Sequence, residues 1–209
     1  MPPLELTGSL RLPSRPRGIV VFAHGSGSSR LSPRNVHVAQ ALGRAGFATL
    51  LFDLLTLTEE ADRANVFDIP LLADRLVAAV QWTAKTAQTA GLPIGLFGAS
   101  TGAAAALVAA ARLGDTISAV VSRGGRPDLA AEALDDVRAP TLLVVGGDDT
   151  EVLGLNEAAF ARLAGPKELR IVPGATHLFP EPGALDAVVA AARAWFERHL
   201  GAPGAVGRS

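Results

Sequence analysis

Short apolar runs alternate along the chain with longer stretches in which hydrophobic positions recur every three or four residues. The runs at 19–23 (IVVFA), 47–52 (FATLLF), 94–97, 117–121, 141–145 and 169–172 are four to six residues long and largely apolar at consecutive positions. That pattern marks strands covered on both faces, as parallel strands are in a helix-flanked sheet. Between them the spacing predicts helices over about 33–45, 68–90, 101–113, 128–136, 152–164 and 182–200. In the last of these, Leu185, Val188, Ala192, Trp195 and Phe196 fall on one stripe, the face a helix buries. Asp68 and Asp128 stand where N-caps are expected, and Gly46, Gly91 and Gly114 where helices should stop.

Strands and helices alternating through short connections build a doubly wound α/β sheet. Segment 4–12 alternates less cleanly and is expected as an antiparallel edge, added to about six parallel strands. A single domain is expected over 1–200, with no separate lid domain, followed by a flexible tail over 201–209. In such sheets ligands bind outside the carboxyl ends of the strands. Those ends carry His24-Gly25-Ser26-Gly27, Asp53, the stretch 98–102, the stretch 122–126, Gly146 to Asp149, and the loop ending at His177.

Composition narrows the chemistry. At 49% hydrophobic and 19% charged residues the chain reads as globular, and a net charge of −1 gives no general attraction to nucleic acid or to an anionic membrane surface. The absence of cysteine excludes a disulfide scaffold, a thiolate metal site and a cysteine nucleophile. The N-terminal stretch has no apolar core of a signal peptide and no run is long enough to span a membrane, so a cytoplasmic location is expected.

Gly98-Ala99-Ser100-Thr101-Gly102 lies where an apolar strand gives way to an alanine-rich helix. Ser and Thr are good N-caps, so a capped helix start is the plain interpretation. The other is a nucleophile on a tight strand-to-helix turn, where the flanking glycines let neighbouring backbone pass close. A phosphate loop is not supported, because alanines follow where its lysine would stand. Gly25-x-Gly27 likewise lacks the third glycine of a dinucleotide fingerprint, at Arg30.

A serine nucleophile needs a base oriented by a carboxylate. Of the four histidines, His199 ends the last helix, His37 lies inside the first long helix, and His24 precedes Gly25 in a loop-shaping position. His177, after the last strand, is the one beyond Ser100 at a strand end. Two acids, Asp148 and Asp149, follow the strand TLLVV, and either could orient it.

These residues bring out a family likeness. FAHGSGSSRLSPRN, FGASTG, VSRGGRPDLA, VVGGDDTEV and VPGATHLF occur in the order found in the α/β-hydrolase superfamily, and the chain resembles its dienelactone-hydrolase-like group of small, lidless hydrolases over about residues 4–200. The resemblance implies Ser100 as nucleophile, His177 as general base and Asp149 as the acid, because Gly146, Asp149 and Val152 fit the family's spacing. It also implies an oxyanion hole from the backbone N–H groups of Ser26 and Thr101. Dienelactone hydrolase proper uses a cysteine nucleophile, which this chain lacks, so a lactone substrate does not carry over. Chains like this one also occur fused to phosphoribosyltransferase domains, and no such domain is expected in these 209 residues.

The expectation is a Ser-His-Asp hydrolase acting on a small-molecule ester, with no metal and no cofactor, and with a homodimer left open. An acyltransferase or perhydrolase on the same triad, and a non-catalytic binding protein of the same fold, are the alternatives. Arg123 and Arg126, in a glycine-flanked loop at a strand end, are candidates for reading an anionic group on the substrate.

Overall fold

The computed structural model describes residues 6–201. Strands β1 (Gly8–Arg11), β2 (Ile19–Ala23), β3 (Ala48–Phe52), β4 (Ile94–Ala99), β5 (Ile117–Arg123), β6 (Thr141–Gly146) and β7 (Lys167–Val172) form one sheet in the order β1-β3-β2-β4-β5-β6-β7. β1 runs antiparallel to β3, pairing Gly8 with Phe52 and Arg11 with Thr49, and the remaining pairs are parallel. This is the doubly wound sheet with one antiparallel edge that the hydrophobic pattern predicts; positions 4 and 5 of the expected edge segment lie outside the described residues, as do 202–209 of the expected tail.

The helices in chain order are α1 (Pro33–Arg44), α2 (Leu57–Glu60), α3 (Arg63–Phe67), α4 (Ile69–Lys85), α5 (Thr101–Leu113), α6 (Thr150–Arg162) and α7 (Ala184–His199). One core layer lies between the sheet and α1 and α7, with Val20, Phe22, Phe97 and Val121 facing Leu42, Val188 and Phe196. The other lies toward α4, α5 and α6, where Val21, Leu96, Val120 and Leu143 meet Leu76, Ala105 and Ala159. Neighbouring strand residues therefore go to opposite layers, and both sets are apolar.

Several boundaries differ from the sequence expectation. The helix expected over 68–90 ends at Lys85, and Gly91 (φ 78°) turns the chain into β4 instead of capping that helix. Asp68 does cap α4, its Oδ1 accepting from the Leu71 N–H at 2.9 Å. The stretch expected as a helix at 128–136 is 3₁₀ over Pro127–Asp136, broken at Ala130 (φ −107°, ψ 18°), so no sustained i→i−4 ladder forms. Asp128 consequently caps no α-helix. α2 and α3 have no buried residues and hence no apolar period to betray them. They are held by local caps: Thr56 and Glu59 in a capping box, and Asp62 on the Ala64 N–H.

Strand order reverses between β2 and β4, since β2 leads to β3 on one side while β4 continues on the other. A crevice opens at such a switch point, outside the carboxyl ends. The loop after β2 and the turn after β4 flank it.

Candidate functional site

β4 ends at Ala99, and α5 begins at Thr101, leaving Ser100 alone to turn the chain. Its backbone sits at φ 51°, ψ −123°, a left-handed value that only one other described non-glycine residue, Phe179, shares. The Ser100 side chain makes no capping hydrogen bond to α5, which removes the plain helix-cap interpretation. The glycines beside it are demanded by space: a Cβ on Gly98 would lie 2.6 Å from the Gly102 carbonyl oxygen, and one on Gly102 would strike the Ala23 and His24 carbonyls. Backbone bonds clamp the turn to β5, with the Ser100 N–H donating to Arg123 O and the Arg126 N–H donating to Ser100 O, both at 3.2 Å.

The loop after β7 carries His177, half-buried, whose Nδ1 bonds Asp149 Oδ2 at 2.7 Å. Asp149 stands at the N-cap position of α6 yet caps nothing, because its carboxylate is engaged by the imidazole. Asp148 is exposed and contributes its backbone, N–H to Ala175 O at 3.0 Å, to the joint between the two loops. The histidine loop is held from behind by Glu181, which accepts from the Thr176 N–H at 3.1 Å and hydroxyl at 2.6 Å. Fully buried Asn156, on α6, donates to Gly125 O at 2.9 Å and so ties the helix after the acid to the loop beside Ser100.

The loop after β2 is anchored to the end of β3. Burial pushes the His24 imidazole below its ordinary pKa. The neutral ring donates Nδ1–H to Gly25 O at 3.0 Å and accepts the Leu54 N–H on Nε2 at 3.1 Å. Asp53 takes both the Arg30 N–H, at 2.8 Å, and its guanidinium. Ser26, on this loop, gives its N–H to Thr101 Oγ1 at 2.9 Å, so one of the two amides expected for an oxyanion is engaged at rest. His37 does not line this cleft and reaches Asp186 at 3.1 Å, and His199 packs against Trp195 with the rings tilted at 55°, burial and Arg198 pushing its pKa down.

Ser26, Ser100, His177 and Arg123 line one open cleft of about 710 Å³. Arg126 is turned elsewhere, both its Nε (2.9 Å) and Nη2 (2.8 Å) donating to the Asp128 carboxylate. The two arginines singled out from sequence thus part company. Arg34, in the first turn of α1, joins the cleft instead; it lies within the FAHGSGSSRLSPRN motif, but no role was assigned to it from sequence. Among the described residues no three His, Asp or Glu side chains gather in a way that could hold a metal ion.

Comparison with known proteins places this arrangement. The model of the dienelactone hydrolase family matches residues 6–201. A Mycobacterium tuberculosis protein whose name describes a phosphoribosyl transferase is 60% identical over 205 residues, covering 98% of this chain and 46% of its own length. The chain therefore spans about half the length of the curated relatives it matches. A dienelactone hydrolase from Anabaena variabilis superposes with a TM-score of 0.91 at 56% identity, over 93% of this chain and 92% of that one. Est1E from Butyrivibrio proteoclasticus superposes with a TM-score of 0.80 over 93% and 94%, at 18% identity, a likeness of fold alone.

Proposed function

The chain belongs to the dienelactone hydrolase family and has the α/β-hydrolase fold, and on that premise we propose that it is a serine hydrolase cleaving a carboxylic ester or related acyl bond through Ser100, His177 and Asp149. The observation that carries this reading is Ser100 itself. It is held at a left-handed φ of 51°, caps no amide, and shares a cleft with a histidine already tied to a carboxylate. Strain of this kind persists where the surroundings over-determine it, and it clusters at reactive positions.

The chemistry follows from the donors and acceptors. With Asp149 accepting the Nδ1–H of His177, Nε2 is left as the lone pair that takes the Ser100 proton. The serine oxygen attacks the acyl carbon, and negative charge grows on the former carbonyl oxygen. The Thr101 N–H, the first amide of α5, lies at the positive end of that helix and can meet this charge. The Ser26 N–H supplies the second donor once the substrate oxygen displaces the Thr101 hydroxyl from it. His177 then gives its proton to the departing alcohol, and a water activated by the same ring releases the acid. A lactone substrate does not carry over from the family's name, because the resemblance ties that reaction to a cysteine, and the chain has none.

The mycobacterial relatives' name describes a phosphoribosyl transferase, and this chain matches 46% of their length. We attribute that name to the remainder of those proteins, and hydrolysis to the part shared here.

A serine-directed phosphonate tests the assignment. Peptide mass mapping should find the adduct on Ser100, Ser100→Ala should take no label, and its ester turnover should fall ~10⁴-fold or more. Labelling of the variant at the wild-type rate overturns the assignment.

A further inference from the structure

Arg123 leaves β5 beneath the cleft and is only 6% exposed, yet its Nε and Nη1 have no hydrogen-bond partner among the described residues. Arg34, half-buried in the first turn of α1, has a buried Nε in the same condition. Both side chains line the cleft that holds Ser100 and His177. Neither forms an ion pair with a carboxylate among the described residues, whereas Arg30, Arg75, Arg112, Arg126 and Arg162 each do. The other arginines without an acid, Arg11, Arg15, Arg44, Arg63 and Arg138, are exposed and solvated. Glu60 also borders the cleft, but it is exposed and bonds to neither guanidinium.

Burying a guanidinium without a counter-charge is costly, and placing a second cation beside it adds to the penalty. Burial and the charge of Arg34 push Arg123 down to about 10, which leaves it cationic at neutral pH. A fold keeps such a pair where a ligand supplies the missing charge.

We propose that Arg34 and Arg123 form an anion subsite of the Ser100 cleft that receives a doubly charged oxyanion, a phosphate monoester group carried by the acyl substrate. One carboxylate would balance only one of the two cations. A phosphate monoester brings close to two charges and three strong acceptor oxygens at neutral pH, enough to balance both guanidiniums. The naming of an acyl substrate rests on the hydrolase assignment; the subsite itself does not need Ser100.

Calorimetric titration of the full chain with inorganic phosphate tests it. Wild type and Ser100→Ala should both bind phosphate, and Arg34→Gln and Arg123→Met should each weaken it about tenfold or more, the loss expected for charge-assisted hydrogen bonds. Acetate at equal concentration should not displace it. Arg123→Met should melt no lower than wild type in phosphate-free buffer, because it removes an unpaired buried charge, whereas loss of a structural arginine would lower the melting point. Should Arg123→Met not fold, Arg34→Gln, at a half-buried site, reads the same affinity. No phosphate binding, binding indifferent to both substitutions, or acetate binding as tightly as phosphate overturns the proposal. Phosphate binding that persists in a protein whose Ser100 takes no phosphonate would leave the subsite standing and remove the hydrolase assignment alone.

Discussion

At the scale of single residues, Ser100 and Asp149 illustrate how local shape and distant partners divide the work. Ser100 lies in a backbone region that a β-carbon disfavours, at φ 51°. Relief of that strain is worth about 1–3 kcal/mol, so Ser100→Gly should melt higher than wild type while losing ester turnover. Equal melting points would show that the turn imposes no strain on Ser100. Asp149 holds His177 at 2.7 Å while Asp148 stands exposed. Asp149→Asn is expected to lower kcat ~10³–10⁴-fold, as loss of an orienting carboxylate does, and Asp148→Asn to leave it within severalfold. A larger loss for Asp148→Asn would transfer the orienting role.

At the scale of elements, the loop after β2 matters as a unit because it carries the Ser26 amide. Its conformation hangs on Asp53, which binds the Arg30 backbone and guanidinium, and on the His24 ring, which accepts from Leu54. Asp53→Ala removes two of these bonds, one of them charged, at a cost of about 1–3 kcal/mol. Thermal melting should register that loss, and kcat/KM should fall with it as the Ser26 amide loses its place. Wild-type kcat/KM in this variant would separate the loop from the reaction. The strands were the most legible elements, since burial on both faces leaves an unbroken apolar run such as IVVFA. α2 and α3 escaped because their stability comes from Thr56, Glu59 and Asp62 at their ends, with no face buried. The break at Ala130 escaped too, for the buried positions Pro127, Ala130 and Leu134 keep the i, i+3, i+7 spacing of an α-helix although the backbone departs from one.

Across the whole molecule, proton uptake couples the fold to pH. Burial lowers the pKa of both His24 and His199. Their unfolded imidazoles take up protons near ~6.5, while the folded rings do so only at lower pH. The unfolded state therefore binds more protons below that point, and stability present above pH ~6.5 is lost on acidification, by at most about 1.4 kcal/mol per pH unit for each group. Melting temperatures from pH 7 to 5 should fall, and His24→Gln should flatten the fall; an unaltered slope would exclude His24 as a contributor. The order of the strands and of the five long helices α1, α4, α5, α6 and α7, the turn at Ser100 and the loops bearing His177 and the two acids were legible in the sequence, because each depends on periodicity and on glycine spacing within a few neighbouring residues. The family spacing already pointed to Asp149, and the fold shows it reaching across 28 residues to His177; that the Ser26 amide meets Thr101 across 75 was decided by tertiary structure alone. Arg126 finds Asp128 only two residues on in its own loop, whereas it is the fold that gathers Arg123 and Arg34 in the cleft, with buried guanidinium nitrogens that have no partner among the described residues. A side chain's partner is chosen by which elements the fold brings together, and at the β2–β4 reversal those elements are far apart along the chain.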